Sequence, residues 1–130
     1  QSGLTAANAA LAALQSSKAD AAPVDAALAA LETKVDTKAQ AVLGSYTGSG
    51  AASRTISLGF QPKAVLLLSY DGAVANGSQT YGGLALPGVS VGTASNGTAL
   101  SITSSGFNIY YQDRAATNVS GYVYRYIAIR

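Results

Sequence analysis

The chain has no histidine and no cysteine. Imidazole acid–base work, a Ser–His couple, a thiolate nucleophile and thiol or imidazole metal ligands are therefore closed to it. Residues 44–130 hold only two acids, Asp71 and Asp113, each beside turn residues. A glycosidase needs two carboxylates flanking the scissile bond. These two could serve only if the fold or a neighbouring subunit brought them together. Either could join Asn and backbone oxygens on a calcium ion, but no loop has the acid density of a dedicated site, and Asp71-Gly72 reads more simply as a turn. The expectation is a protein without catalysis, cofactor or metal. What remains is recognition. Tyr111-Gln112-Asp113-Arg114 puts a ring, an amide, a carboxylate and a guanidinium within one turn, and Tyr81 and Tyr110 lie beside the loops 71–80 and 112–120. An apolar face with a few placed polar groups is the general pattern of a ligand site. Tyr81, Tyr111, Asp113 and Arg114 are the candidate receptor-binding residues. The competing reading puts Tyr110 or Tyr111 in the core and leaves Asp113 and Arg114 as a weak surface pair.

The elements that would position these groups change character at Gly44. Residues 1–43 contain no aromatic residue, whereas residues 44–130 contain all eight tyrosines and both phenylalanines. In the first segment AALAAL occurs twice, at 9–14 and 26–31, and Leu14, Ala21, Leu28, Val35 and Val42 recur every seven residues. Leu11 precedes one member of that series by three and Leu31 follows another by three, with Leu4 upstream. These spacings place side chains on one helix face, and a seven-residue repeat makes a coiled-coil seam. Leu4, Leu11, Leu14, Ala21, Leu28, Leu31, Val35 and Val42 are the expected seam. Pro23 lacks an amide proton and disfavours helix at Ala22, so two helices or one kinked helix are expected there, with Asp20 as a candidate cap for the restart. About 40 residues of lone helix would leave the leucine stripe wet, which favours oligomerisation over a monomeric amphipathic helix packed on the β part.

After Gly44, turn signals recur every eight to twelve residues: 48–50, Gln61-Pro62, Asp71-Gly72, Asn76-Gly77, Pro87-Gly88, Asn96-Gly97, Gly106 and 118–121. Strands are expected at 54–58, 63–70, 82–86, 98–103, 107–111 and 122–129. This rhythm predicts an antiparallel sandwich or barrel. The run Ala64-Val65-Leu66-Leu67-Leu68 predicts a central strand buried on both faces, one against the core and one against a neighbouring subunit. In the last strand Val123, Arg125, Ile127 and Ile129 share one face and Tyr122, Tyr124, Tyr126 and Ala128 the other. Its tyrosines are expected on a rim. Asn76, Asn96 and Asn118 each open an Asn-X-Ser/Thr triplet and are read as bare turns.

Only 11% of residues are charged, against about a quarter in ordinary soluble domains, so surface is expected to be hidden in an assembly or covered with Ser, Thr, Asn and Gly. Net charge is +2, split as −1 over residues 1–43 and +3 over residues 44–130. Five scattered cations are too few for a nucleic-acid footprint, although a mild attraction to anionic surface polymers is open to them. The lack of cysteine fits synthesis in a reducing cytoplasm and later use outside. No apolar run approaches a membrane span, so no membrane insertion is expected. A start at Gln1, with no signal segment, is expected of a piece of a longer protein.

Ser45-Tyr46-Thr47-Gly48-Ser49-Gly50 followed by Arg54-Thr55-Ile56-Ser57-Leu58-Gly59-Phe60-Gln61-Pro62-Lys63-Ala64-Val65 resembles the opening of a β domain in fibre and receptor-binding proteins of tailed bacteriophages. The closing run Gly121-Tyr122-Val123-Tyr124-Arg125-Tyr126-Ile127-Ala128-Ile129 is similar to their last strand, and Lys18 to Leu28 resembles their stalks. Residues 71–120 match no motif of that family. The resemblance implies a homotrimeric virion appendage, made in the bacterial cytoplasm, joined to other virion proteins on its N-terminal side and attaching to a host-surface glycan or polymer. It carries over no individual binding residue, because its motifs are structural: Pro62 fixes a turn and Gly59 permits its tight geometry.

The reading is an α+β organisation: a trimeric helical coiled coil over 1–43 with a kink or break near Pro23, then an antiparallel all-β sandwich head over 44–130. The function expected is non-catalytic attachment. The competing function is purely structural, as a head fibre, a decoration protein or a trimerising cap of a longer fibre.

Overall fold

The computed structural model describes residues 2–93 and 95–130, apart from the side chains of Ser2, Ala19, Asp20 and Thr93. The chain divides into two compact units, one ending at Lys38 and the other starting at Ala39. It has an α+β organisation, a helix followed by a sheet-rich domain.

The first unit is one helix, α1, Ser2–Asp36, about 52 Å long at about 1.5 Å per residue. Pro23 lies inside it. Of the two arrangements expected there, two helices or one kinked helix, the division into two does not occur. An interior proline costs about 3 kcal/mol, and the alanines on both sides, the best helix formers, sustain the helix across it. The cap expected of Asp20 falls outside the described residues. The helix ends with Thr37 N–H donating to Thr33 O at 3.0 Å and Thr37 Oγ1 donating to Lys34 O at 3.0 Å. These bonds satisfy last-turn carbonyls that have no helical donor. The helix therefore stops short of residue 43, and Val42 is not a seam residue. It belongs to the next element, where its β-branched side chain packs against the sheet core.

The second unit contains β1 (Ala41–Thr47), β2 (Ser53–Ser57), β3 (Ala64–Ser69), β4 (Ala75–Asn76), β5 (Gln79–Thr80), β6 (Gly83–Ala85), β7 (Val91–Thr93), β8 (Gly97–Thr103), β9 (Gly106–Gln112), β10 (Ala115–Ala116) and β11 (Val123–Ile129). One sheet has the order β1-β11-β3-β6, and the other β4-β5-β10-β9-β8-β7 with β2 also on β9. Among the described residues the strand pairs are antiparallel except β10 with β5, which run parallel through Ala115 and Thr80. All six strands expected from the sequence are present. β3 is central in its sheet, between β11 and β6.

Alternation decides which side chains enter the core. From the first sheet come Tyr46, Val65, Leu67, Ala85, Tyr124 and Ala128; from the second come Leu100, Phe107 and Ile109. The rings of Tyr46 and Tyr124 stack at 5.0 Å between centroids, and Phe107 meets Tyr126 edge-on at 5.0 Å. Tyr124 is fully buried rather than on a rim. Its hydroxyl donates to Ala116 O at 2.5 Å, and the Tyr46 hydroxyl donates to Thr117 O at 2.6 Å. Burial pushes both phenols up, Tyr124 to about 12 and Tyr46 further, because the charged form has no water there.

The same segment locks the motifs at the two ends of the domain. Asn118 lies in a turn, as expected, and is fully buried. Its Oδ1 accepts from Ser49 N–H at 2.9 Å and its Nδ2 donates to Ala51 O at 2.9 Å. Gly48 N–H donates to Tyr122 O at 2.8 Å. A Cβ on Gly48 would lie 2.0 Å from Val119 O, so only glycine fits that approach. Pro62 is buried and Gly59 has φ 79°, the left-handed geometry the turn between β2 and β3 requires.

Candidate functional site

The β9–β10 connection is a tight turn, with Gln112 opposite Ala115. Asp113 sits there at φ 52°, a conformation Asp tolerates better than most residues. Arg114 Nη1 donates to Asn96 Oδ1 at 3.1 Å, and Arg114 O accepts from Thr80 N–H at 2.9 Å. The guanidinium is thus committed to a neighbouring turn. Tyr111 is 44% exposed. Tyr110 is half-buried, its hydroxyl 3.1 Å from Ser101 Oγ. Tyr111, Asp113 and Arg114 form an exposed polar corner, and none of the three lines a described pocket.

Tyr81 belongs to a different place. With Ser69, Tyr70, Asp71, Ala73, Asn76 and Tyr122 it lines a polar pocket of about 140 Å³. The end of β3, the β4–β5 hairpin and the segment before β11 build it. Tyr70 and Tyr122 stand edge to face, centroids 6.3 Å apart and planes 69° apart. The Asp71 Oδ1 accepts from Ser69 Oγ and from Ala73 N–H. The Ser69 bond and then the Ala73 bond hold the Asp71 carboxyl below its usual value. The Tyr81 hydroxyl donates to Gln79 Oε1 at 2.6 Å. Sequence reasoning named Tyr81 and missed Tyr70 and Tyr122. They were assigned to a strand and its rim, and only the fold brings residues 70, 81 and 122 together. Asp113 does not line this pocket.

Two further surfaces are apolar. On α1, Leu4, Leu11, Leu14, Leu28, Leu31 and Val35 are all at least half exposed. Val24, four residues before Leu28, joins them at 66% exposure. Leu4, Leu11 and Leu14 make one run, and Val24, Leu28, Leu31 and Val35 make a second with alternating spacings of four and three. On the outer face of the first sheet, Leu43 pairs with Ile127, Ile127 with Leu66 and Leu66 with Leu84. Four aliphatic side chains therefore cross all four strands in one row. The next row is Ser45, Arg125 and Leu68. A shallow groove of about 450 Å³ runs along these rows, lined by Leu43, Leu66, Leu68, Arg125 and Ile127 among others. An antiparallel sheet with one wet face normally turns polar residues outward; this one does so at Ser45 and Arg125 but carries an aliphatic row beside them.

Among the described residues no three acids cluster as a metal site, and no helix is long and apolar enough to cross a membrane. No protein-family model, curated protein or solved structure matches the chain.

Proposed function

We propose that the protein is a non-catalytic, homotrimeric attachment tip of the tailed-phage fibre kind, with a coiled-coil stalk and a β-sandwich head that binds a host-surface glycan or polymer. The observation that carries this reading is the stripe of exposed Leu and Val along a single 35-residue helix. Each large apolar side chain left in water forgoes about 1.5–3 kcal/mol, and copies of the same helix remove that loss by packing knobs into holes. The apolar row on the head is a second surface of the same kind. The motifs at the two ends of the head support the choice of a trimer and of a virion appendage. Three copies would multiply weak single-site contacts into firm attachment.

Light scattering on the whole chain tests the assembly. A trimer is expected, and Leu14→Glu with Leu28→Glu should give monomers that keep the β fold. A monomeric wild-type chain overturns the reading. Retention on intact bacterial cells tests attachment. A stable trimer that holds to no cell surface would instead favour a structural virion component.

A further inference from the structure

The small polar pocket has a chemistry of its own. Three of its seven lining residues are tyrosines, and its one charged residue is Asp71. Neither lysine nor arginine lines it, although the head as a whole carries +3. Among the described residues no cation pairs with Asp71. The carboxylate is fixed by Ser69 Oγ and by Ala73 N–H at 3.3 Å, both on Oδ1. Tyr70 and Tyr122 meet at 69°, as two walls of a corner rather than one flat platform. Aromatic faces are the negative pole of the ring quadrupole. Rings beside a carboxylate attract a cation, and sets of such rings bind substituted ammonium groups. The Asn76 amide and the tyrosine hydroxyls supply further oxygens.

We propose that the pocket lined by Tyr70, Asp71, Asn76, Tyr81 and Tyr122 binds an organic ammonium group. An anion is repelled by Asp71. A neutral sugar ring favours a flat aromatic platform and is large for about 140 Å³. A compact ammonium head satisfies the charge and the rings together. The pocket lies within one copy of the chain, so the assignment goes beyond the attachment reading and does not depend on it.

The test is titration of the full chain, followed by NMR or calorimetry, with three probes: choline chloride, its uncharged isostere 3,3-dimethylbutan-1-ol, and glucose. Choline is expected to bind saturably, and the isostere and glucose not to bind. Asp71→Asn keeps an oxygen for the Ser69 and Ala73 bonds and removes the charge; the lost ion pair is an exposed one, so the change should weaken choline by up to about fivefold. Tyr122→Leu should do the same, while Tyr122→Phe binds as the wild type. Equal binding of the isostere, glucose competing for the pocket, or no saturable choline binding overturns the proposal. The comparison of probes on the wild-type chain decides the matter even if a variant fails to fold. Retention on choline-bearing agarose, released by free choline, shows that the group can be carried on a surface; binding in solution without retention assigns the pocket to a free small cation. A wild-type chain that binds choline but is monomeric overturns the attachment reading alone.

Discussion

Tyr46 and Tyr124 show how single hydroxyls join the two ends of the β domain. Each ring is stacked in the core, and each hydroxyl reaches a backbone carbonyl in the short segment Ala116 to Thr117. Replacing either by Phe keeps the ring and strands a buried carbonyl, which costs about 1–3 kcal/mol. Urea unfolding of Tyr46→Phe and Tyr124→Phe should register that loss without a change of fold. The same burial fixes a pH dependence. The folded phenols hold their protons more tightly than the unfolded chain, whose tyrosines titrate at the ordinary value of 10.0. The stabilisation is complete below pH 10.0 and falls as pH rises through the window to about 12 set by Tyr124. Each of the two contributes a slope of up to about 1.4 kcal/mol per pH unit there. Denaturant midpoints measured on either side of pH 10.0 should fall on the alkaline side, and less steeply in Tyr124→Phe. Asp71 shifts the other way. Its carboxyl stays ionised below the usual range, so choline binding should outlast mild acid and disappear only as pH falls through the lowered value.

At the scale of elements, strong periodicity was readable and weak periodicity was not. The continuous run of β3 and the alternation of β11 gave the type and place of those strands but not their inward faces: β3, expected to be buried on both faces, buries only Val65, Leu67 and Ser69 fully, and Tyr124, expected on a rim, fills the core. β4, β5 and β10 have two residues each, too short to carry a period. Val42 was misread because it continues a seven-residue series, yet its own neighbours alternate, and the sheet partner at Ala128 decides the outcome. The candidate site was half legible for a related reason. Tyr111 to Arg114 are adjacent in sequence and so drew notice, while Tyr70, Tyr81 and Tyr122 are far apart and meet only through the order of strands. Residues 112–120 were read as a loop, and their second half is the latch between both ends of the domain. Gly48→Ala tests that latch. Its Cβ would sit 2.0 Å from the Val119 carbonyl, so the two strands of backbone must part and the bonds between Gly48, Tyr122 and Gly121 must lengthen. A loss of more than about 2 kcal/mol in thermal or chemical unfolding is expected.

For the whole molecule the question is why so few charges suffice. With 11% charged residues, solubility has to come from neutral polar side chains or from covering apolar surface, and two apolar surfaces are visible, the helix stripe and the row Leu43, Ile127, Leu66 and Leu84. The two make different demands. The stripe has the spacing of a seam and is expected to hold copies together by itself. The row is flat, crosses four strands and carries one cation beside it, Arg125. Leu84 is 58% exposed and points away from the core. In a head that works alone, Leu84→Lys should change stability by no more than about 0.5 kcal/mol, the usual range for surface substitutions. In a head that packs its row against another copy, the same lysine leaves a buried charge unpaired, which costs several kcal/mol. The proposed trimer predicts the second outcome. Light scattering on Leu84→Lys should find trimers that dissociate at higher concentration than the wild type, with an unfolding midpoint lowered to match. An unchanged mass and midpoint would assign the assembly to the helix stripe alone and leave the row as open surface.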